Sequence, residues 1–298
     1  MHSGRVSSGG SPLNQPIAKI DSLHEQACFE FYEGKRNDLI NLLPGDDGFV
    51  HSHFAVTDFD HRVLDAPDDR REEEILRELH RIENLQVEAL LDFLGPVDAD
   101  QHVMDSGCGR GGTSFIVYDR HHCFVRGVDF SPYRLEFAGK IASQRKVEDR
   151  VTFHQSNMTG TPFADDTFDV VINNESQEHL ESMDALCREN SRVLKPGGRF
   201  AVATWVADSW KTQQSEEVTA IDSHYRTRIH TRATYLRAMV NHSLIPIRLD
   251  DLTEAAIPYW QLRSESSHRS GVEPYFLSAL GKRIMNYLFV IAEYQPGA

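Results

Sequence analysis

Val103-Met104-Asp105-Ser106-Gly107-Cys108-Gly109-Arg110-Gly111-Gly112 is the stretch on which the fold turns. It reads as a short apolar strand that ends in an acid and then breaks into glycines, the pattern of a strand-to-helix turn. Glycines there let a ligand come close to the backbone at a helix N-terminus. Strand-like runs recur after it at Phe124–Val128, Val151–Phe153, Phe168–Ile172, Phe200–Thr204 and Leu288–Ala292, with helix-like segments between. Ser131-Pro132 reads as an N-cap with proline at the first helical position, opening a helix to about Lys146. This alternation predicts an α/β protein with a mostly parallel sheet covered by helices on both faces.

Outward from this core the pattern changes. Residues 1–16 are rich in Ser and Gly and read as a disordered N-terminus. Residues 17–96 read as a helical extension or lid, with one helix around Ile20–Glu33 and a strong one at about Arg71–Leu94. In the second, Glu72, Glu73 and Glu74 suit the positive end of the helix dipole, and Leu76, Leu79, Ile82, Val87, Leu90, Leu91 and Leu94 repeat at helical spacing until Gly95-Pro96 stops it. Residues 97–298 hold the main domain. Within it, residues from about 209 to 283 look irregular apart from a helix capped by Thr231, and are expected to cap the sheet's C-terminal edge.

Composition narrows the partners. A net charge of −14 sets aside nucleic acid and anionic membranes, so an anionic ligand needs local positive charge or a metal. Cys28, Cys108, Cys123 and Cys187 make no CxxC pair, which points to a reducing cytoplasm rather than a zinc or disulfide framework. No apolar run approaches the roughly 20 residues that span a bilayer. The first residues lack the charged and apolar regions of a signal peptide. A homo-oligomer stays open.

Gly107, Gly109 and Gly112 also fit the dinucleotide GxGxxG pattern, so the glycines alone leave the cofactor open. Asp105, at the strand end, suits a cationic amino acid moiety better than a pyrophosphate. Asp129 ends the next strand, where an acid can hold two ribose hydroxyls. Ser156-Asn157-Met158 follows the third strand, where an amide and an apolar side chain can hold adenine. Leu194-Lys195-Pro196-Gly197-Gly198-Arg199-Phe200 precedes the fifth. As a set over residues 100–205, these segments resemble the class I methyltransferases. The resemblance implies a Rossmann-like, mostly parallel seven-stranded sheet with a helical N-terminal extension and C-terminal cap elements. It also implies S-adenosylmethionine as cofactor. The residues expected to hold it are Gln86, Asp105, Gly107, Gly109, Asp129, Phe130, Asn157, Met158 and Asn173.

Further segments narrow the resemblance: His80-Arg81-Ile82-Glu83, Cys108–Gly112, Asn173-Asn174-Glu175-Ser176, Tyr235-Leu236-Arg237-Ala238-Met239 and Pro258-Tyr259-Trp260-Gln261-Leu262-Arg263. With them the chain resembles the bacterial geranyl diphosphate C-methyltransferases and, more distantly, sterol methyltransferases. The implied reaction carries a methyl to an alkene carbon of a prenyl diphosphate. A base must then deprotonate the resulting carbocation, and Glu175 matches the family's glutamate in that role; without the resemblance it would read equally as a solvated loop acid. Phe54, Trp205, Trp210, Tyr259 and Trp260 are the candidate aromatic faces for the cation. Asn41, His51, His53, Arg81 and Arg263 are the candidate contacts for the diphosphate, with Mg²⁺ held mainly by that group and water. His51 and His53 alternate, so they face one side of an extended segment, although among fifteen histidines any single one is weak evidence. One departure stands out. The family's geranyl enzyme has a tyrosine between the glycine and the first histidine, where this chain has Val50. A methyltransferase of a sterol or other small metabolite is the alternative. A non-catalytic binding protein and a nicotinamide oxidoreductase are weaker ones.

Overall fold

Seven strands form one sheet in the order β3-β2-β1-β4-β5-β7-β6. They are β1 (His102–Ser106), β2 (Phe124–Asp129), β3 (Val151–Gln155), β4 (Phe168–Asn174), β5 (Leu194–Ala207), β6 (Leu244–Asp251) and β7 (Met285–Tyr294). The computed structural model describes residue 20 and residues 22–35 and 45–297. The N-terminal segment 1–16 and Asn41 lie outside the described residues. The strands from β3 to β5 pair in parallel, while β7 runs antiparallel to both β5 and β6.

The central strands are apolar on both faces because helices cover both. Val103, Val170 and Ile172 belong to the core shared with α2 (Asp68–Leu94) and α3 (Gly112–His121). Met104 and Val171 belong to the opposite core, with α5 (Met183–Val193) and α7 (Arg232–Asn241). All five strand residues have no exposed surface. The chain's path reverses between β1 and β4, and that switch point opens a crevice at the strands' C-terminal ends.

Local rules set the helix ends. α1 (Leu23–Gly34) is capped by Ser22, whose Oγ accepts from the Glu25 amide at 3.1 Å. It starts a few residues later than periodicity suggests. α2 starts at Asp68, three residues before the expected Arg71, because the Pro67 carbonyl already accepts from the Arg70 and Arg71 amides at 2.8 and 2.9 Å. Asp68 and Asp69 therefore take the first turn, and Glu72–Glu74 fall one turn in. Ser131 caps α4 (Pro132–Arg145) with proline at its start, as its sequence predicts.

The region from 209 to 283 is more regular than its sequence looks. It holds α6 (Glu216–Tyr225), α7, β6, α8 (Ile257–Glu265) and α9 (Glu273–Gly281). β6 completes the sheet as an edge strand. Its last five residues are exposed and a register shift falls between Pro246 and Arg248, which hides the period-two signal. Together α1, the extended chain at 49–54 and helices α8 and α9 cover the C-terminal edge of the sheet. No helix among the described residues is long and apolar enough to cross a membrane.

Candidate active site

The crevice holds three connecting chambers. The first lies beside β2 and β3 and is lined by Asp129, Phe130, Asn157 and Met158, with Glu25 and Cys28 of α1 also against it. Asp129 is fixed by the glycine turn, accepting from the Gly109 amide at 3.0 Å and the Ser131 amide at 2.8 Å. Asn157 donates to Glu25 at 3.0 Å. Gly107 adopts φ +82, and a Cβ there would lie 2.1 Å from Ser176 Oγ, which donates to the Ser106 carbonyl. A side chain at 107 would break the seam between β1 and the loop after β4.

The second chamber shares Gly107, Asp129 and Met158 with the first and reaches Asp105, Gly109 and Glu175. Asp105 is 1% exposed and accepts from Ser114 Oγ at 2.5 Å. Burial pushes its carboxyl up to about 7, with the Ser114 bond opposing and Asp129 adding. It has no cationic partner among the described residues. A buried carboxylate in this condition favours a cation brought to it. With an acid placed for two hydroxyls and an apolar slot beyond, these residues fit a nucleoside bearing a charged amino acid tail.

Glu175 stands where the second chamber meets the third, lining both. Its φ is +51, a left-handed conformation that aims the side chain back from the end of β4. Oε1 accepts from the Phe54 amide at 2.9 Å and from the Tyr287 hydroxyl. Burial, joined by the nearby Glu178 carboxyl, pushes Glu175 well above the usual carboxylate range, while those two hydrogen bonds oppose. Glu178 is pushed up to about 7 by its own burial. It accepts from Thr204 Oγ1 at 2.7 Å and from the Trp205 amide at 3.1 Å.

The third chamber is lined by aromatic rings and basic groups together, with Glu83 among them. Phe54 sits at the centre of the rings, 4.5 Å from Trp260, 5.6 Å from Tyr259 and 5.3 Å from Trp205 between centroids. Trp260 stacks on Phe276 at 3.7 Å. The basic groups are Lys35, Arg134, Arg263, His51 and His53. Arg134 lies over the Tyr32 ring at 4.0 Å. The facing nitrogens of His51 and His53 are 3.0 Å apart. Burial holds both imidazoles below their usual range, His53 at about 4.

The methyltransferase domain family matches residues 97–261. The geranyl diphosphate 2-C-methyltransferase of Saccharopolyspora erythraea is 38% identical over 273 residues, 91% of this chain and 95% of that protein. This chain belongs to the geranyl diphosphate C-methyltransferase family. A geranyl diphosphate methyltransferase solved with geranyl diphosphate and sinefungin superposes with a TM-score of 0.86 at 34% identity, covering 92% of this chain and all of that one. The Streptomyces coelicolor A3(2) enzyme, solved with Mg²⁺, geranyl-S-thiolodiphosphate and S-adenosyl-L-homocysteine, gives 0.87 at 33%, covering 92% and 98%.

In this methyltransferase most of the residues singled out from sequence converge. Asp105, Gly107, Gly109, Asp129, Phe130, Asn157 and Met158 line the first two chambers, and His51, His53, Phe54, Trp205, Tyr259, Trp260 and Arg263 line the third. Two stand behind the walls. Gln86 is fully buried and bonds to Asn174 and Tyr287, and Asn173 donates to the Ser106 carbonyl at 2.9 Å, tying β4 to β1. Two are placed elsewhere. Trp210 is 64% exposed beyond the end of β5, and Arg81 is paired with Glu78, one helical turn before it, at 2.6 Å. Asn41 lies outside the described residues. Sequence reasoning missed Lys35, Arg134, Tyr225, Phe276, Glu178 and Tyr287. Only Arg134 had a local signal, three residues past the Ser131 cap and in the turn after Asp129.

Proposed function

We propose that this chain transfers the methyl group of S-adenosylmethionine to an alkene carbon of geranyl diphosphate, C2 by likeness to its relatives, in the cytoplasm, where its four free thiols stay reduced. The observation that carries this reading is the position of Glu175, between a chamber built for a nucleoside and one built of aromatic rings and basic groups. S-adenosylmethionine, when bound, supplies an electrophilic methyl on a sulfonium.

The chain's own residues do the rest. Asp105 takes the ammonium of the amino acid tail, Asp129 the ribose hydroxyls, and Phe130, Asn157 and Met158 the adenine. Gly107 and Gly109 let the tail approach, and Gln86 and Asn173 hold the strand ends from behind. An alkene is a weak nucleophile, so much of the rate comes from holding it in line with the methyl. Methyl transfer leaves a carbocation on the prenyl chain. The faces of Phe54, Trp205, Tyr259 and Trp260 stabilise it without bonding to it, and their burial keeps water from capturing it. Glu175 then accepts a proton, and the C–H electron pair restores the double bond.

The diphosphate needs positive charge in a chain of net −14, and Lys35, Arg134 and Arg263 bring it to the third chamber, with the imidazoles of His51 and His53 beside them as hydrogen-bonding groups. An anion placed there also favours protonated imidazoles. The described residues include no cluster of three metal-type side chains. Mg²⁺ suits this site as an ion held chiefly by diphosphate oxygens and water, since it keeps several waters and asks few protein ligands.

The test is incubation with S-adenosylmethionine, Mg²⁺ and isopentenyl, geranyl or farnesyl diphosphate, followed by phosphatase and mass spectrometry of the alcohols. The expected result is a product one methylene heavier from geranyl diphosphate, with NMR giving the carbon. No methylated product from any of the three, with cofactor binding intact, refutes the reading.

A further inference from the structure

Both lone-pair positions of Glu175 Oε1 are in use. One accepts from the Phe54 amide and the other from the Tyr287 hydroxyl. Glu175 is ionised when it acts as base and can then only accept, so Tyr287's one hydrogen goes to it, while the phenol oxygen accepts from Gln86 Nε2 at 3.1 Å. Gln86 is locked in turn by a reciprocal amide pair with Asn174, at 3.0 and 3.1 Å, and Asn174 is the chain neighbour of Glu175. The links close a ring from Glu175 to Tyr287, Gln86, Asn174 and back along the backbone. Its members come from α2, β7, the last residue of β4 and the residue after it, and all are buried, with Tyr287 and Gln86 wholly so.

We propose that Tyr287 is a positioning residue that reserves Glu175 Oε2 as the proton acceptor and thereby selects which hydrogen leaves the methylated cation. The inference rests on the function proposed above. The C–H bond breaks, its electron pair fills the empty orbital of the cation as the new π bond, and the proton forms an O–H bond to Oε2. Oε1 has no place for that proton while both donors are present. Removing the phenol hydroxyl frees Oε1 and releases the carboxyl's rotation. The base then meets hydrogens on more than one carbon, and the cation lives longer.

The experiment compares Tyr287→Phe with wild type on geranyl diphosphate and S-adenosylmethionine, resolving all product alcohols after phosphatase treatment. A hydrogen bond to a charged group is worth enough to lower kcat by about tenfold to a hundredfold, with both KM values within about twofold. The product should spread into double-bond isomers and water-captured diols. A simple loss of packing would lower the amount of active enzyme but leave its product single. Gln86→Met, which removes the donor behind Tyr287, should give the same spread to a smaller extent and covers the case in which the first variant does not fold. Wild-type product with both folded variants yielding the same single alcohol overturns the inference alone. No product from wild type overturns the substrate reading and this inference with it.

Discussion

The nucleoside half and the prenyl half of the crevice are built in different ways. In the first, Asp105, the glycine turn, Asp129 and Ser131 lie within one strand–helix–strand passage and satisfy one another through bonds spanning at most 20 residues. In the second, Phe54 meets Glu175 across 121 residues, Tyr287 meets Glu175 across 112 and Gln86 meets Tyr287 across 201. The first half is anchored on a local motif, and α1 closes over it through the bond from Asn157 to Glu25. The other exists only when α1, the chain at 49–54, α2, α8, α9 and β7 have all docked. Substitutions should therefore divide cleanly between cofactor affinity and turnover.

The largest effect expected is that of Glu175→Gln. Loss of a general base should lower turnover by about a hundredfold to ten-thousandfold, with cofactor affinity unchanged by calorimetry. A parallel loss of cofactor affinity would erase the distinction between the halves. Arg263→Gln should raise the KM for geranyl diphosphate by about tenfold to a hundredfold, through loss of a charged hydrogen bond. The dissociation constant for S-adenosylmethionine should stay the same.

Asp105 sharpens the comparison from the other side. Its carboxyl is pushed up to about 7 and must be ionised to hold an ammonium. Cofactor affinity therefore rises as pH rises through that value, and falls about fivefold from pH 7 to pH 6. Asp105→Asn should bind weakly at both pH values and flatten this dependence, read by isothermal titration in buffers of matched ionic strength. The smallest effect is that of Trp210→Ala. At 64% exposure and outside the chambers, Trp210 should leave kcat and both KM values within about twofold.

This division also explains what the sequence could tell. The sheet, its glycine turn and the cofactor half were legible because apolar strand runs and a contiguous motif carry them. β6 was not, since an edge strand with Pro246, a register shift and five exposed residues lacks the alternation of a half-buried one. The prenyl half had no local signature. Its aromatics and Glu175 came forward through likeness to a family. That likeness could not find Tyr287, which sits at the start of an apolar strand where a tyrosine reads as core. Trp210 looked close to the site because it follows Trp205 by five residues, but the strand ends at Ala207 and the chain leaves the crevice. Arg81 looked free for an anion until Glu78, three residues earlier on the same helix face, took its guanidinium.

β7 is the last strand in the chain, yet it inserts between β5 and β6 rather than adding at an edge. During synthesis the strands around the glycine turn leave the ribosome well before it, and β6 has no sheet partner until β7 arrives. The strand that gives β6 its partner is thus the same one that brings Tyr287 to Glu175, so the sheet's edge and the setting of the base are completed in a single step.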